Sequence, residues 1–311
     1  MKYIKFGKTD HMISRISFGC WEMGGAMWEH TSDEINTKAV YKALEEGINS
    51  FDTAEAYGEG HSEEVLGKAL EGRRKDLFLA TKVSKNNLRP GDLRKSITGS
   101  LKRLRTDYVD LYYIHWPNPE IPLEETMQEM VKIQQEGLIR HIGVSNFDAP
   151  LLKEALKIGR VEAVQNEYSL LHRGIEAELL PFCLDNSIAV MSYSSLAKGI
   201  LTGIFHLEGL KLKEGDFRLS RRLFSPAHLE AERELLEVME EMAGALRISC
   251  GQLALAWLFH QKGLSSALVG TQSEKHFLEN IKAVGVVLSA ENLSVLDTVS
   301  ARVIAAIDGQ F

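Results

Sequence analysis

The feature that most constrains this chain is a recurring pair of patterns: a short β-rich apolar run, then a longer segment with helical periodicity. Strand-like runs lie at Arg15–Phe18, Ser50–Asp52, Leu77–Lys82 and Val109–His115. Four more lie at His141–Ser145, Ala163–Glu167, Ala189–Ser192 and Ser266–Val269. Between them, segments such as Asp33–Glu46, Ser62–Leu70, Asp92–Leu104, Leu123–Glu136 and Pro150–Ile158 carry apolar residues at i, i+3 and i+4. Eight strands that alternate with helices imply a closed barrel or a doubly wound sheet.

The remaining segments favour the barrel. Tyr3–Phe6, the turn Gly7-Lys8-Thr9-Asp10 and Met12–Ser14 read as a hairpin able to plug one barrel end. Two helices are surplus to the repeat: Pro226–Leu246, ahead of the helix Gly251–Gln261, and Ala290–Ala305 near the end. No linker or low-complexity segment divides the 311 residues, a length single α/β barrels reach. The expectation is one domain over residues 1–311: an α/β chain forming a (β/α)8 TIM barrel with an N-terminal β-hairpin and two extra helices.

Composition removes several functional classes. The net charge is −7, and basic clusters such as Arg73–Lys75 and Arg221-Arg222 are short, so no nucleic-acid partner is expected. The N-terminus lacks the apolar core of a signal peptide and no apolar run approaches membrane-spanning length, so a cytoplasmic protein without a membrane partner is expected. Cys20, Cys183 and Cys250 are widely spaced with no C-x-x-C, which argues against a disulfide framework or a metal site. No oligomeric state is read from the pattern.

Active sites of α/β barrels lie at the carboxyl ends of the strands. Polar residues close three otherwise apolar runs there: Asp52, Lys82 and His115, on the second, third and fourth strands. Just beyond the second strand, Tyr57 in Thr53-Ala54-Glu55-Ala56-Tyr57-Gly58 can fold back over the mouth. A phenol is a poor acid at neutral pH unless its anion is stabilised. A lysine ammonium beside it would lower its pKa, an aspartate would hold that lysine charged, and a neutral histidine could hold a substrate carbonyl. Singly, each residue has a plainer role as cap, strand end, core histidine or packing; together at one mouth they point to chemistry.

The chain resembles the aldo-keto reductases, bacterial NADP-dependent members included. The resemblance rests on Phe51-Asp52-Thr53-Ala54-Glu55-Ala56-Tyr57-Gly58, Ala80-Thr81-Lys82-Val83, Tyr113-Ile114-His115-Trp116-Pro117, Gly143-Val144-Ser145-Asn146-Phe147, Val164-Gln165-Asn166-Glu167-Tyr168, the run Ser192 to Gly199, and Gly270 to Glu279-Asn280. It implies an oxidoreductase that reduces aldehydes or ketones, or oxidises alcohols or sugars, by nicotinamide hydride transfer. Asp52, Tyr57, Lys82 and His115 would form its catalytic tetrad, with Tyr57 the proton donor. Ser145, Asn146 and Gln165 would hold the nicotinamide carboxamide and Tyr193 would stack on the ring.

No G-x-G-x-x-G is present, so phosphate binding falls to the loops after strands seven and eight. Ser194, Ser195, Leu196, Lys198 and Gly199 offer hydroxyls and backbone amides; Gly270, Thr271 and Gln272 lead into a helix N-terminus that favours anions. Glu279 and Asn280 would face the adenine, and Lys275 would add charge toward a 2′-phosphate. NADP-specific relatives typically carry arginine where this chain has His276, and Glu274 works against a phosphate. The expectation is NADP(H) in preference to NAD(H), with NAD(H) possible.

Trp21, Trp28 and Trp116, with the loop from Phe205 to Phe224, would wall the pocket for a small carbonyl or alcohol substrate. Two other classes fit part of the pattern: a barrel aldolase using Lys82 as a Schiff-base nucleophile, and a non-catalytic cofactor-sensing partner subunit.

Overall fold

The computed structural model describes residues 1–25, 32–207, 209–270 and 274–308. Strands β1 (Tyr3–Lys5) and β2 (Met12–Ser14) form an antiparallel hairpin in which Tyr3 faces Ser14. The parallel strands β3 (Ile16–Gly19), β4 (Ser50–Asp52), β5 (Phe78–Val83), β6 (Val109–Ile114), β7 (Ile139–Ser145), β8 (Ala163–Glu167), β9 (Ala189–Tyr193) and β10 (Leu264–Val269) pair in chain order, and β10 returns to β3 to close the barrel.

The helices are α1 (Asp33–Glu45), α2 (His61–Ala69), α3 (Pro90–Leu104), α4 (Leu123–Gln135), α5 (Ala149–Ile158), α6 (Leu179–Asp185), α7 (Ile204–Leu207), α8 (Pro226–Leu246), α9 (Cys250–His260), α10 (Glu274–Ile281) and α11 (Ala290–Asp308). The barrel, the hairpin and both surplus helices, α8 and α11, agree with the sequence reading. The two surplus helices pack on one another. Among the described residues, no single helix is long and apolar enough to cross a membrane.

Several strand bounds differ from the sequence reading. Strand β3 starts at Ile16 and includes Gly19, and β5 runs on to Val83, so Lys82 is its penultimate residue. Strand β6 stops at Ile114, leaving His115 one residue beyond it, although the His115 N–H still donates to the Val83 carbonyl. Strand β7 begins two residues earlier than expected, at Ile139, because Arg140 and His141 interrupt the apolar pattern that marks a strand in sequence. Helices α6 and α7 span only 7 and 4 residues, too few turns to show a helical period.

Alternation along the strands decides what the barrel holds. On β5, Phe78 and Ala80 face inward, whereas Leu79 and Val83 join the shell between strands and helices. The inner cluster comprises Phe78, Ala80, Leu111, Tyr113, Ala163, Ala189 and Met191, closed at the amino-terminal end by Phe6 and Ile13 of the hairpin region. The Phe6 and Phe78 rings lie 4.6 Å apart. Gly143 leaves room for this layer, since a Cβ there would stand 2.5 Å from the Tyr113 ring. With its floor plugged, the barrel is open to ligands only at the carboxyl ends. The same alternation carries Lys82, His115, Ser145, Gln165 and Tyr193 inward at that mouth.

One buried acid sits outside the barrel. Glu232 on α8 is fully buried, and neither carboxyl oxygen has a hydrogen-bond partner. Burial pushes its pKa from 4.5 up to about 8. The folded protein therefore keeps a proton that the unfolded chain loses, and this group's contribution to stability falls as pH rises from 4.5 to about 8. Glu232→Gln stays neutral, so its advantage over the wild type in thermal unfolding should grow from about pH 6 to pH 8.5, reaching roughly 1–3 kcal/mol. A difference that does not change with pH would show that this carboxyl is not held protonated by the fold.

Candidate active site

Lys82 reaches the barrel mouth with no exposed surface. Its ammonium donates to a carboxylate oxygen of Asp52, to the Thr53 carbonyl at 2.8 Å and to the Tyr57 hydroxyl at 3.3 Å. The other Asp52 oxygen accepts from the Gln165 amide at 2.9 Å. A buried charge is tolerated only when it is paired and hydrogen-bonded, and Lys82 meets both conditions.

The loop after β4 aims Tyr57 at this ammonium. Thr53 bonds the Ser62 hydroxyl at 2.9 Å, and Glu55 accepts from the Ser84 backbone at 2.7 Å and from Asn87 at 3.0 Å. Gly58, at φ +60°, lies back to back with Gly24; a Cβ on Gly58 would stand 2.2 Å from the Gly24 carbonyl oxygen. That contact seats the Tyr57 turn against the turn that leaves β3. The His115 ring is 5.6 Å from the Tyr57 ring and nearly perpendicular to it, at 80°.

Burial and charge set the protonation states. Burial is the largest influence on Lys82 and pulls its pKa down, but Asp52 and Tyr57 outweigh it and hold the ammonium above its ordinary value. Burial pushes the Tyr57 phenol up, while Lys82 works in the opposite direction. The sequence reading expected lysine to make this phenol more acidic; its pull has that sign, and desolvation exceeds it. His115 is lowered to about 3 by burial, with the Lys82 charge adding to it, so its imidazole is neutral at ordinary pH.

Above the tetrad, Asn146 donates to the His115 carbonyl at 2.9 Å and to Ser145 Oγ at 3.1 Å, and Tyr193 donates to Asn146 Oδ1 at 2.7 Å. These groups line a cleft of about 1230 Å³, larger than a small substrate alone needs. Along one side runs the loop after β9, where Ser194, Ala197, Lys198 and Gly199 all take positive φ. Three of these are not glycine, and such strain concentrates at functional sites. The loop is held by its own amides: Ala197 donates to the Ser194 carbonyl at 2.7 Å and Gly199 to the Leu196 carbonyl at 3.0 Å. Lys198 itself is paired with Glu167 at 2.7 Å.

The structure brings Asp52, Tyr57 and His115 to the cleft, together with Ser145, Asn146, Gln165, Tyr193, Ser194, Ser195, Leu196, Lys198, Gly199, Gly270, Glu279 and Asn280. Trp21 and Trp116 line it as well; Trp21 packs 5.2 Å from Phe217, and Trp116 is 48 % exposed. Lys275 is exposed on α10 and is not among the lining residues, whereas its neighbour His276 is. Trp28, Thr271 and Gln272 lie outside the described residues. The loop expected to wall the pocket supplies Phe205, Leu212 and Arg218 to it, whereas the sequence reading missed Glu22, Leu171 and His172, which also line the cleft. The position of Glu22 directly after Trp21 was the one available signal; Leu171 and His172 come from a connection with no repeating pattern.

The Aldo/keto reductase family profile matches residues 15–301. The chain is 34% identical over 313 aligned residues to the Bacillus subtilis aldo-keto reductase YhdN, covering 96% of this chain and 93% of that one. It is 33% identical to the NADH-specific methylglyoxal reductase of Escherichia coli, over 93% of this chain and 95% of the relative. A crystal structure of an aldo/keto reductase from Klebsiella pneumoniae in complex with NADP and acetate superposes with a TM-score of 0.77 at 33% identity, covering 96% of this chain and 95% of the other. The chain belongs to the aldo/keto reductase family, oxidoreductases that reduce carbonyl compounds with a nicotinamide cofactor.

The neutral state of His115 can be checked in solution. Its imidazole C–H resonances should stay flat from about pH 5 to pH 8, where an ordinary histidine titrates. Movement with a midpoint near 6.5 would mean that the ring is hydrated and open.

Proposed function

We propose that this chain reduces small aldehydes or ketones, with Tyr57 giving the proton to the carbonyl oxygen and His115 orienting that carbonyl. The observation that carries the reading is the set of contacts made by Lys82: Asp52, Thr53 and Tyr57 surround one buried ammonium at the open end of the barrel. A protonated phenol can donate to the oxygen as negative charge develops there. The tyrosinate left behind faces the lysine cation, so the ammonium acts chiefly in the transition state. Neutral His115 adds an N–H donor without adding charge.

The cofactor, NAD(P)H, supplies the hydride when bound. Ser145, Asn146 and Gln165 would hold its carboxamide and Tyr193 would pack on its ring. Ser194, Ser195, Leu196, Lys198 and Gly199, with Gly270, Thr271 and Gln272, would hold its phosphates, and Glu279 and Asn280 its adenine. The strained positive-φ loop after β9, in the wall of the cleft, supports this fit. Trp21, Trp28 and Trp116 would wall the substrate side. Cytoplasmic residence belongs to the same proposal and accords with three buried, unpaired cysteines. The Schiff-base reading of Lys82 requires a neutral amine, and the Asp52 pair works against one. A cofactor-sensing subunit with no reaction of its own would not need a complete tetrad.

Tyr57→Phe should bind dinucleotide normally yet lose about 10²- to 10⁴-fold in carbonyl reduction, and Lys82→Met should behave alike. Turnover of Tyr57→Phe at the wild-type rate, across a panel of aldehydes and ketones, would remove the phenol from the mechanism.

A moderate preference for NADPH over NADH is part of the proposal, with Lys275 and His276 on α10 the basic groups near the expected 2′-phosphate. Arginine forks a phosphate where histidine cannot, so His276→Arg should lower the KM for NADPH several-fold and leave that for NADH nearly unchanged. Equal changes for both cofactors, or better use of NADH by the wild type, would contradict this placement.

A further inference from the structure

One acidic group in the cleft has no part in the reaction as derived. Glu22 opens the short turn Glu22–Gly24 that follows β3. Its carboxyl lies against Gly270 at the end of β10: a Cβ built on Gly270 would stand 2.1 Å from Oε2 and 2.3 Å from Oε1. Glu22 and Gly270 line the same cleft as Lys198 and Gly199 of the positive-φ loop. A carboxyl therefore stands against one of the two loops that the reading above assigns to the cofactor's phosphates, and lines the same cleft as the other.

The charged and titratable neighbours do not neutralise it. Among the described residues, Arg218, from the turn Phe217–Ser220, is the cation whose charge reaches it, and that guanidinium is also bound by Asp216 at 2.7 Å. Lys198, after β9, is committed to Glu167. Cys20 after β3 and Tyr57 after β4 both feel the Glu22 charge, and α10 adds His276 and Glu279 to the cleft lining. Burial raises the Glu22 carboxyl to about 7, against the smaller pulls of its own backbone N–H and Arg218.

We propose that Glu22 couples dinucleotide binding to proton uptake: the polyanionic cofactor occupies the cleft with this carboxyl neutral, so its affinity falls as pH rises. The inference rests on the cofactor reading above. Two anions in a partly dehydrated cleft repel strongly, whereas a protonated carboxyl becomes a hydrogen-bond donor that a phosphate oxygen can accept. With half-ionisation at about 7, the competent fraction falls about tenfold between pH 6 and pH 8.

The test is a fluorescence titration of the full chain with NADH at pH 6 and pH 8, for wild type and Glu22→Gln. Calorimetry in two buffers of different ionisation enthalpy counts the protons taken up. NADH is the probe because it lacks the 2′-phosphate, which itself titrates near about 6. The wild-type Kd should rise about tenfold from pH 6 to pH 8 with proton uptake on binding, while Glu22→Gln should show a flat Kd and bind about tenfold more tightly than wild type at pH 8. A flat wild-type Kd, or the same slope in the variant, overturns the proposal. So does weaker binding by the variant at both pH values, which would mark the carboxylate as an acceptor for ribose hydroxyls. Failure of the wild type to bind either NADH or NADPH at both pH values would overturn the cofactor reading as well.

Discussion

A charge buried in a protein must be answered by its surroundings, and in this molecule the Lys82 ammonium is answered by the barrel itself. Strand β5 carries it inward, β4 brings Asp52 to it, β8 sends Gln165 to hold the far oxygen of Asp52, and the loop after β4 supplies the Thr53 carbonyl and the Tyr57 hydroxyl. None of these groups is near another in sequence except Asp52, Thr53 and Tyr57. Removing one partner would leave a charge with no compensation in a dry interior, which is costly. The same geometry that makes the pair expensive to break keeps the phenol, the ammonium and the neutral His115 in fixed relation at the one end left open by the Phe6 plug.

The surroundings of the tetrad follow from that fixed centre. Glu55 ties the Tyr57 loop to the loop after β5, and Gly24 and Gly58 press two turns together so that Trp21 comes within 6.4 Å of the Tyr57 ring. Asn146 joins the His115 carbonyl to the Tyr193 hydroxyl, linking the substrate side of the mouth to the side assigned to nicotinamide. The four non-glycine residues with positive φ at this mouth, Asn146, Ser194, Ala197 and Lys198, are strained at a place where strain serves binding.

Much of this was legible in the sequence, for a physical reason. Strand alternation has period 2, so one polar residue closing an apolar run reveals both its strand and its face, as with Asp52 and Lys82, whereas Gln165 and Tyr193 were reached only through the family resemblance. The two-residue period also brings His115 inward although its strand ends at Ile114. What stayed hidden depends on contacts across long separations. Nothing local announces that Glu22 meets Gly270, that Lys198 is spent on Glu167, or that Lys275 turns away from the cleft while His276 faces it. The net effect on Tyr57 was hidden too, because it depends on the balance between lysine and burial, and burial is a property of the whole fold.

The central claim is that the barrel holds Lys82 as a charged ammonium through Asp52. Nitrogen NMR of the lysine Nζ groups reports that charge directly, with Lys82→Met identifying the resonance. The account predicts an ammonium signal for Lys82 that persists past about pH 10, and in Asp52→Asn a loss of that proton at lower pH, because the carboxylate that offsets most of the desolvation is then gone. A neutral amine at Lys82 in the wild type at neutral pH would contradict it.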